Sequence, residues 1–161
     1  FPSVKSLEMR GSFVTEDADD EYCFKLLVRI KHPTVSLTDM THALERETAH
    51  AWSVGDPGPV GASFQFRRYT YWLTSRAVLG TRFFSRELEI DLTWLQSKRD
   101  FVRSLLDTGG SVSLEVWLPG QINIGDVLTP VLLGKMAELG VGLGIEVLPH
   151  LDDELRKGSA R

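Results

Sequence analysis

The chain has one cysteine, Cys23, in 161 residues. An intrachain disulfide is therefore excluded, and a lone thiol fits a reducing compartment. No apolar run approaches the roughly 20 residues of a membrane-spanning helix. His32, His42, His50 and His150 show no HExxH spacing and have no cysteine cluster to join, so nothing marks a metal site. A GxGxxG after a strand, a P-loop and a GxSxG elbow are all absent, which removes the usual signatures of dinucleotide, nucleoside triphosphate and hydrolase chemistry. No internal repeat is present. Basic residues are also too few for a nucleic-acid stripe: 18 Lys and Arg stand against 22 Asp and Glu, and the pI is about 5.6. The expectation is a soluble, cytoplasmic protein with no cofactor, no metal, no nucleic-acid partner and no membrane partner.

What is there is periodicity, clearest toward the C-terminus. Val112, Leu114, Val116 and Leu118 alternate with Ser113, Glu115 and Trp117, the period of a strand with one buried side. Thr129 directly precedes Pro130, a capping residue before a proline suited to the first helical position, and Leu132, Leu133, Met136, Ala137 and Leu139 follow at helical spacing. Gly140 stops that helix, and Val141, Leu143, Ile145 and Val147 resume alternation up to Pro149. Such a unit predicts a right-handed crossover between two parallel strands. The run Gly140 to Gly144 opens a strand rather than a helix, so close backbone packing suits it better than phosphate binding.

Upstream, Phe24, Leu26, Val28 and Ile30 alternate with Lys25, Leu27, Arg29 and Lys31, giving a strand with a mostly charged second side. Cys23 at its start reads as a small hydrophobe rather than a nucleophile, since no histidine is placed by sequence to activate it. Ser36 with Asp39 resembles a capping box ahead of Leu37, Met40, Ala43 and Leu44. A short apolar segment, His50 to Val54, runs into Gly55-Asp56-Pro57-Gly58-Pro59, which predicts a loop, and a strand follows near Tyr69 to Ser75. From Leu88 to Leu106 the residues Leu88, Leu92, Leu95, Val102 and Leu106 share one helical face, predicting one long helix closed by Gly109-Gly110.

These elements predict a single α+β domain over residues 22–150, preceded by an extension with an acidic linker over 1–21 and followed by a flexible tail over 151–161. The chain begins at Phe1, which fits removal of a preceding segment. The first six elements match a ferredoxin-like split βαβ sheet, extended by a C-terminal αβ unit, with the helices on one face. The other face would then expose Leu27, Trp117 and Leu148, to be covered by a second copy in a homodimer or by residues 1–14 folding back, with the dimer favoured.

One constellation carries recognition chemistry. Trp52 and Gly55-Asp56, Arg67-Arg68, Tyr69 and Tyr71-Trp72 bring aromatics, a carboxylate and guanidinium groups to one loop and its flanking strands. Aromatics on paired strands also serve simply as packing, and Asp56 beside an arginine as a surface ion pair. In the functional reading Arg68 binds an anionic group, Trp52 or Trp72 forms an apolar wall, Asp56 lies beside Arg68, and Gly55, Gly58 and Gly61 let the loop close. With His32 at the same end of the sheet, Trp52, Asp56, Arg68 and Trp72 are the candidate ligand-binding residues, and no residue is a catalytic candidate.

Together, the Trp52 element with Gly55-Asp56-Pro57, the pair Tyr71-Trp72 with Ser75, the helix ending in Gly109-Gly110 and the closing Leu-Thr-Pro helix with Leu139-Gly140 resemble a bacterial family catalogued as domain of unknown function 4279. The resemblance covers about Phe24 to Leu148 and implies no activity. The function expected is a non-catalytic binding or regulatory module for a small ligand or protein partner. A small enzyme with an unrecognised site and a toxin-neutralising partner protein are the alternatives.

Overall fold

A computed structural model of the chain describes residues 23–121 and 123–151. The elements run β1 (Cys23–His32), α1 (Leu37–Leu44), β2 (His50–Trp52), β3 (Thr70–Leu79), α2 (Phe84–Ser97), α3 (Arg99–Asp107), β4 (Ser111–Pro119), α4 (Pro130–Leu139) and β5 (Gly142–Leu148). They form an α+β fold around one mixed sheet in the order β2-β3-β1-β4-β5. β1 lies antiparallel to both β3 and β4, β2 is antiparallel to β3, and β5 is parallel to β4. The parallel pair with its crossover helix is the one the alternation around Pro130 predicts.

The alternating residues Phe24, Leu26, Val28 and Ile30 face the core with Val112, Leu114, Val116 and Leu118. Each helix adds to the same cluster: Met40 and Leu44 from α1, Leu88, Leu92 and Leu95 from α2, Val102 and Leu105 from α3, Leu132, Met136 and Leu139 from α4. Burying one such side chain stabilises by about 1.5–3 kcal/mol, which outweighs the weak propensities of these short helices. Among the described residues no helix is long and apolar enough to cross a membrane.

Caps set the helix limits. Ser36 Oγ accepts from the Asp39 amide and Thr129 Oγ1 from the Leu132 amide, as their sequence positions predict. Gly140 takes the left-handed conformation at φ 74°, and Glu45 does so at φ 52° after α1. The first turn of α2 has no local cap; the Ser85 amide donates instead to Asp126 Oδ2 at 2.7 Å, from the loop between β4 and α4. This tertiary cap starts the helix at Phe84, one turn before the expected Leu88.

Two expectations are corrected. The long helix is two helices, since Lys98 adopts φ −108°, ψ 22° and its amide turns back to Leu95 O. The break lets α2 lie on β1 and β4 while α3 follows β4, and the changed phase buries Leu105 with Leu106 only half-buried. The strand expected to end at Ser75 continues to Leu79, because its whole length pairs with β1. Leu27 is 2% exposed, and Trp117 and Leu148 pack with Cys23 and with Leu151, a residue expected in the tail. Residues 1–22, which include the acidic run, and residues 152–161 lie outside the described residues.

Charged groups bind the layers together. Asp91, 3% exposed on α2, accepts from Arg46 at 2.9 Å and from Arg76 at 3.2 Å, and Arg76 also reaches Glu87 at 2.7 Å. Arg46 lies 3.9 Å over the ring of Trp94, which stacks near Trp72. The cap at Asp126 is the more separable contribution. Asp126→Ala should lower unfolding free energy in urea by about 1 kcal/mol, the usual cost of a lost cap, and Asp126→Asn should recover most of it because its amide oxygen still accepts. Equal loss in both variants would assign the effect to charge rather than to the hydrogen bond.

Candidate binding site

The register of the sheet creates a row of side chains across four strands on the face away from the helices. Trp52 pairs with Tyr71, Tyr71 with Lys31, and Lys31 with Ser111. Their neighbours Ile30, Trp72 and Val112 point into the helix-covered core. A strand's period of two thus separates the two tryptophans: Trp52 belongs to the row, and Trp72 is 0% exposed among core residues. Trp72 therefore cannot wall a site beside Arg68 without leaving the core, which corrects that assignment.

Past Trp52 and before Thr70 the two strands continue as an irregular ladder. The Gly55 amide donates to Arg67 O at 2.9 Å, the Arg67 amide to Asp56 O at 2.7 Å, and the Gly58 amide to Gln65 O at 2.8 Å. Asp56 Oδ2 accepts from the Ser53 amide at 2.6 Å, so this carboxylate holds its own turn. No ion pair joins it to Arg68. At Gly58 a Cβ would meet Phe64 O at 2.5 Å, so glycine there permits a close backbone approach. Gly55 and Gly61, at φ 86° and 84°, supply left-handed turns that a side chain would strain.

This ladder places Arg67, Arg68 and Tyr69 at the end of the row. The Trp52 ring lies between two partners, Tyr71 stacked at 4.3 Å with planes 12° apart and the Arg67 guanidinium at 4.1 Å. Both of its faces are occupied. The nitrogens Trp52 Nε1 and Arg67 Nε are buried donors without an acceptor among the described residues. Lys31 Nζ lies 5.6 Å from the centre of the Tyr69 ring.

Two cavities meet here. The smaller, about 90 Å³, is lined by Trp52, Phe64, Arg67, Arg68 and Tyr69. The larger, about 290 Å³ and open to solvent, is lined by Lys31, His32, Pro33, Arg68, Tyr69, Gly109 and Ser111. Arg68 and Tyr69 line both. Lys31, Arg67 and Arg68 make no ion pair with a carboxylate among the described residues. No group of three or more His, Cys, Asp or Glu side chains suited to a metal occurs among those residues.

Of the four residues expected from sequence, Trp52 and Arg68 come together, Asp56 stabilises the adjoining turn, and Trp72 lies on the other side of the sheet. Lys31, Phe64 and Ser111 were not expected. Lys31 had a readable signal, its place on the charged side of β1, but its partners depend on the register. Phe64 had none.

His32 reaches the site in a fixed state. Its Nδ1 accepts from the amides of Thr34 at 3.1 Å and Val35 at 2.8 Å, which places the proton on Nε2, 2.8 Å from Thr108 Oγ1. Gly110 permits this approach, since a Cβ there would lie 2.7 Å from the His32 ring. Compared with protein-family models, curated proteins and solved structures, the chain matches none of them.

Burial holds the His32 pKa below its ordinary value of 6.5, because the imidazolium loses hydration. The unfolded chain takes up this proton as pH falls through 6.5 while the folded chain resists it, so folding stability should fall from that pH downward until the folded pKa is reached. The slope can approach about 1.4 kcal/mol per pH unit. Urea unfolding at pH 7.5 and 5.5 should show this loss, and His32→Asn, whose Oδ1 can accept the same amides, should flatten it. An unchanged slope would assign it to other groups.

Proposed function

We propose that the chain is a non-catalytic binding module that recognises an anionic ligand at Arg68, at the end of the sheet. The observation that carries this reading is the set Lys31, Arg67 and Arg68, which converges on Tyr69 and two adjoining cavities without a carboxylate partner among the described residues. Arginine side chains engaged in structure pair in this fold, as Arg29 does with Glu115 at 2.6 Å and Arg46 with Asp91. Arg68 is exposed and has no such partner. A planar guanidinium fork matches the oxygens of a carboxylate or phosphate. Among the described residues of the site no nucleophile is hydrogen-bonded to a base, and His32 has both nitrogens committed to structure, which favours recognition over catalysis.

We also infer the finer architecture. The order β2-β3-β1-β4 with antiparallel pairing throughout is what a ferredoxin-like split βαβ unit requires, and α4 with β5 then forms an appended αβ unit. The resemblance to domain of unknown function 4279 rests on the same stretch and adds no activity. Membership of that family is part of the proposal.

The test uses two aromatic anions, benzoate and phenyl phosphate, with benzyl alcohol as the neutral control. At least one anion should bind by calorimetry and the alcohol should not. Arg68→Ala should weaken that binding about 10- to 100-fold, the value of one charge-assisted hydrogen bond, while the melting temperature moves little because the side chain is exposed. Equal binding by the variant, or no binding by either anion, would overturn the reading.

A further inference from the structure

Resting on the anion-binding reading, we infer that the ligand is an aryl phosphate monoester, with its phosphate in the larger cavity and its ring in the smaller. The charge of the larger cavity argues for phosphate over carboxylate. Lys31 and Arg68 line it, no carboxylate does, and His32 is held neutral with Nδ1 as an acceptor. Two cations neutralise a phosphate dianion, whereas a carboxylate would leave one of them uncompensated. The hydroxyl groups of Tyr69 and Ser111 stand on the same lining, enough donors with the guanidinium and ammonium for three phosphate oxygens but in excess for two carboxylate oxygens.

The smaller cavity differs in kind. Three of its five lining residues are aromatic, Trp52, Phe64 and Tyr69, beside Arg67 and Arg68, and the Arg67 guanidinium lies 5.7 Å from the centre of the Phe64 ring. With both faces of Trp52 already covered by Tyr71 and Arg67, a ligand ring meets Phe64 and Tyr69 rather than the indole face. Those two side chains are 37% and 38% exposed and so are reachable from solvent. At about 90 Å³ the space suits a single ring. Because Arg68 and Tyr69 line both cavities, a ligand that fills both has its anion attached close to the ring, as a phosphate ester oxygen attaches it. The same chemistry is offered by a free aryl phosphate and by a phosphotyrosine side chain in a peptide.

Calorimetry with the full chain distinguishes these cases. Phenyl phosphate should bind at least 10-fold more tightly than inorganic phosphate, phenyl sulfate or benzoate. Lys31→Gln should reduce phenyl phosphate binding toward that of phenyl sulfate, and Phe64→Ala should reduce it toward that of inorganic phosphate. Should either variant fail to fold, judged by circular dichroism, the ligand ranking on the unaltered chain decides alone. A phosphotyrosine peptide bound more than 10-fold more tightly than phenyl phosphate would make the source a protein, and equal or weaker peptide binding would make it a small molecule. Benzoate or phenyl sulfate binding as tightly as phenyl phosphate, still lost in Arg68→Ala, would overturn the phosphate assignment while leaving anion recognition intact. Absence of binding by every anion would overturn both.

Discussion

Everything in this fold depends on β1 being hydrogen-bonded along both edges and buried along the whole of its helix-covered face. Ten of its residues pair with β3 and seven with β4, so a slip of one residue would turn Phe24, Leu26, Val28 and Ile30 away from the helices and drive Lys25, Arg29 and Lys31 into the core. Leu27 and Cys23 are buried on the opposite side. Such a strand has one register of low energy. The positions of β3 and β4, and through them β2 and β5, follow from it.

The helices are tied to this sheet by apolar contact and by a few polar groups that act at a distance in sequence. Asp126 caps α2 across 41 residues, and Asp91 accepts from Arg46 beyond α1 and from Arg76 on β3. A carboxylate at 3% exposure is tolerable only because both its oxygens are occupied. The Arg46 guanidinium over Trp94 extends the same contact to the aromatic pair Trp72 and Trp94. Glycines serve the close approaches. Gly144 lies where a Cβ would be 3.1 Å from Glu115 Cγ, and Glu115 is the acceptor that occupies Arg29.

The sheet end near Arg68 contrasts with this economy. Arg29, Arg46 and Arg76 each pair with a carboxylate, whereas here Lys31, Arg67 and Arg68 gather with none among the described residues. The row Trp52, Tyr71, Lys31 and Ser111 ends where the ladder from Gly55 to Arg67 turns over it, leaving an opening between strand ends and loop. Polar groups whose demands are not met internally are where a protein can gain most from a ligand, since a charge-assisted bond formed there replaces water rather than another protein contact.

What the sequence by itself determined was local and periodic. The alternation of β1, β4 and β5, the caps at Ser36 and Thr129, the stop at Gly140 and the loop at Gly55-Asp56-Pro57 are each dictated within a few residues by side-chain period, capping or backbone freedom. Trp52 and Arg68 were legible in the same way, as an aromatic and a guanidinium bracketing one loop. Only the tertiary structure decided which tryptophan faced the core, because that depends on the pairing of Trp72 with Ile30 across β1. It also decided that Asp56 would turn inward to its own backbone, that α2 would begin at a cap supplied by Asp126, and that the long apolar stripe would break at Lys98 to follow the sheet. Lys31 came beside Arg68 and Tyr69 for the same reason. It lies on β1, far from that loop in sequence, and no local period carries the register that brings such segments together.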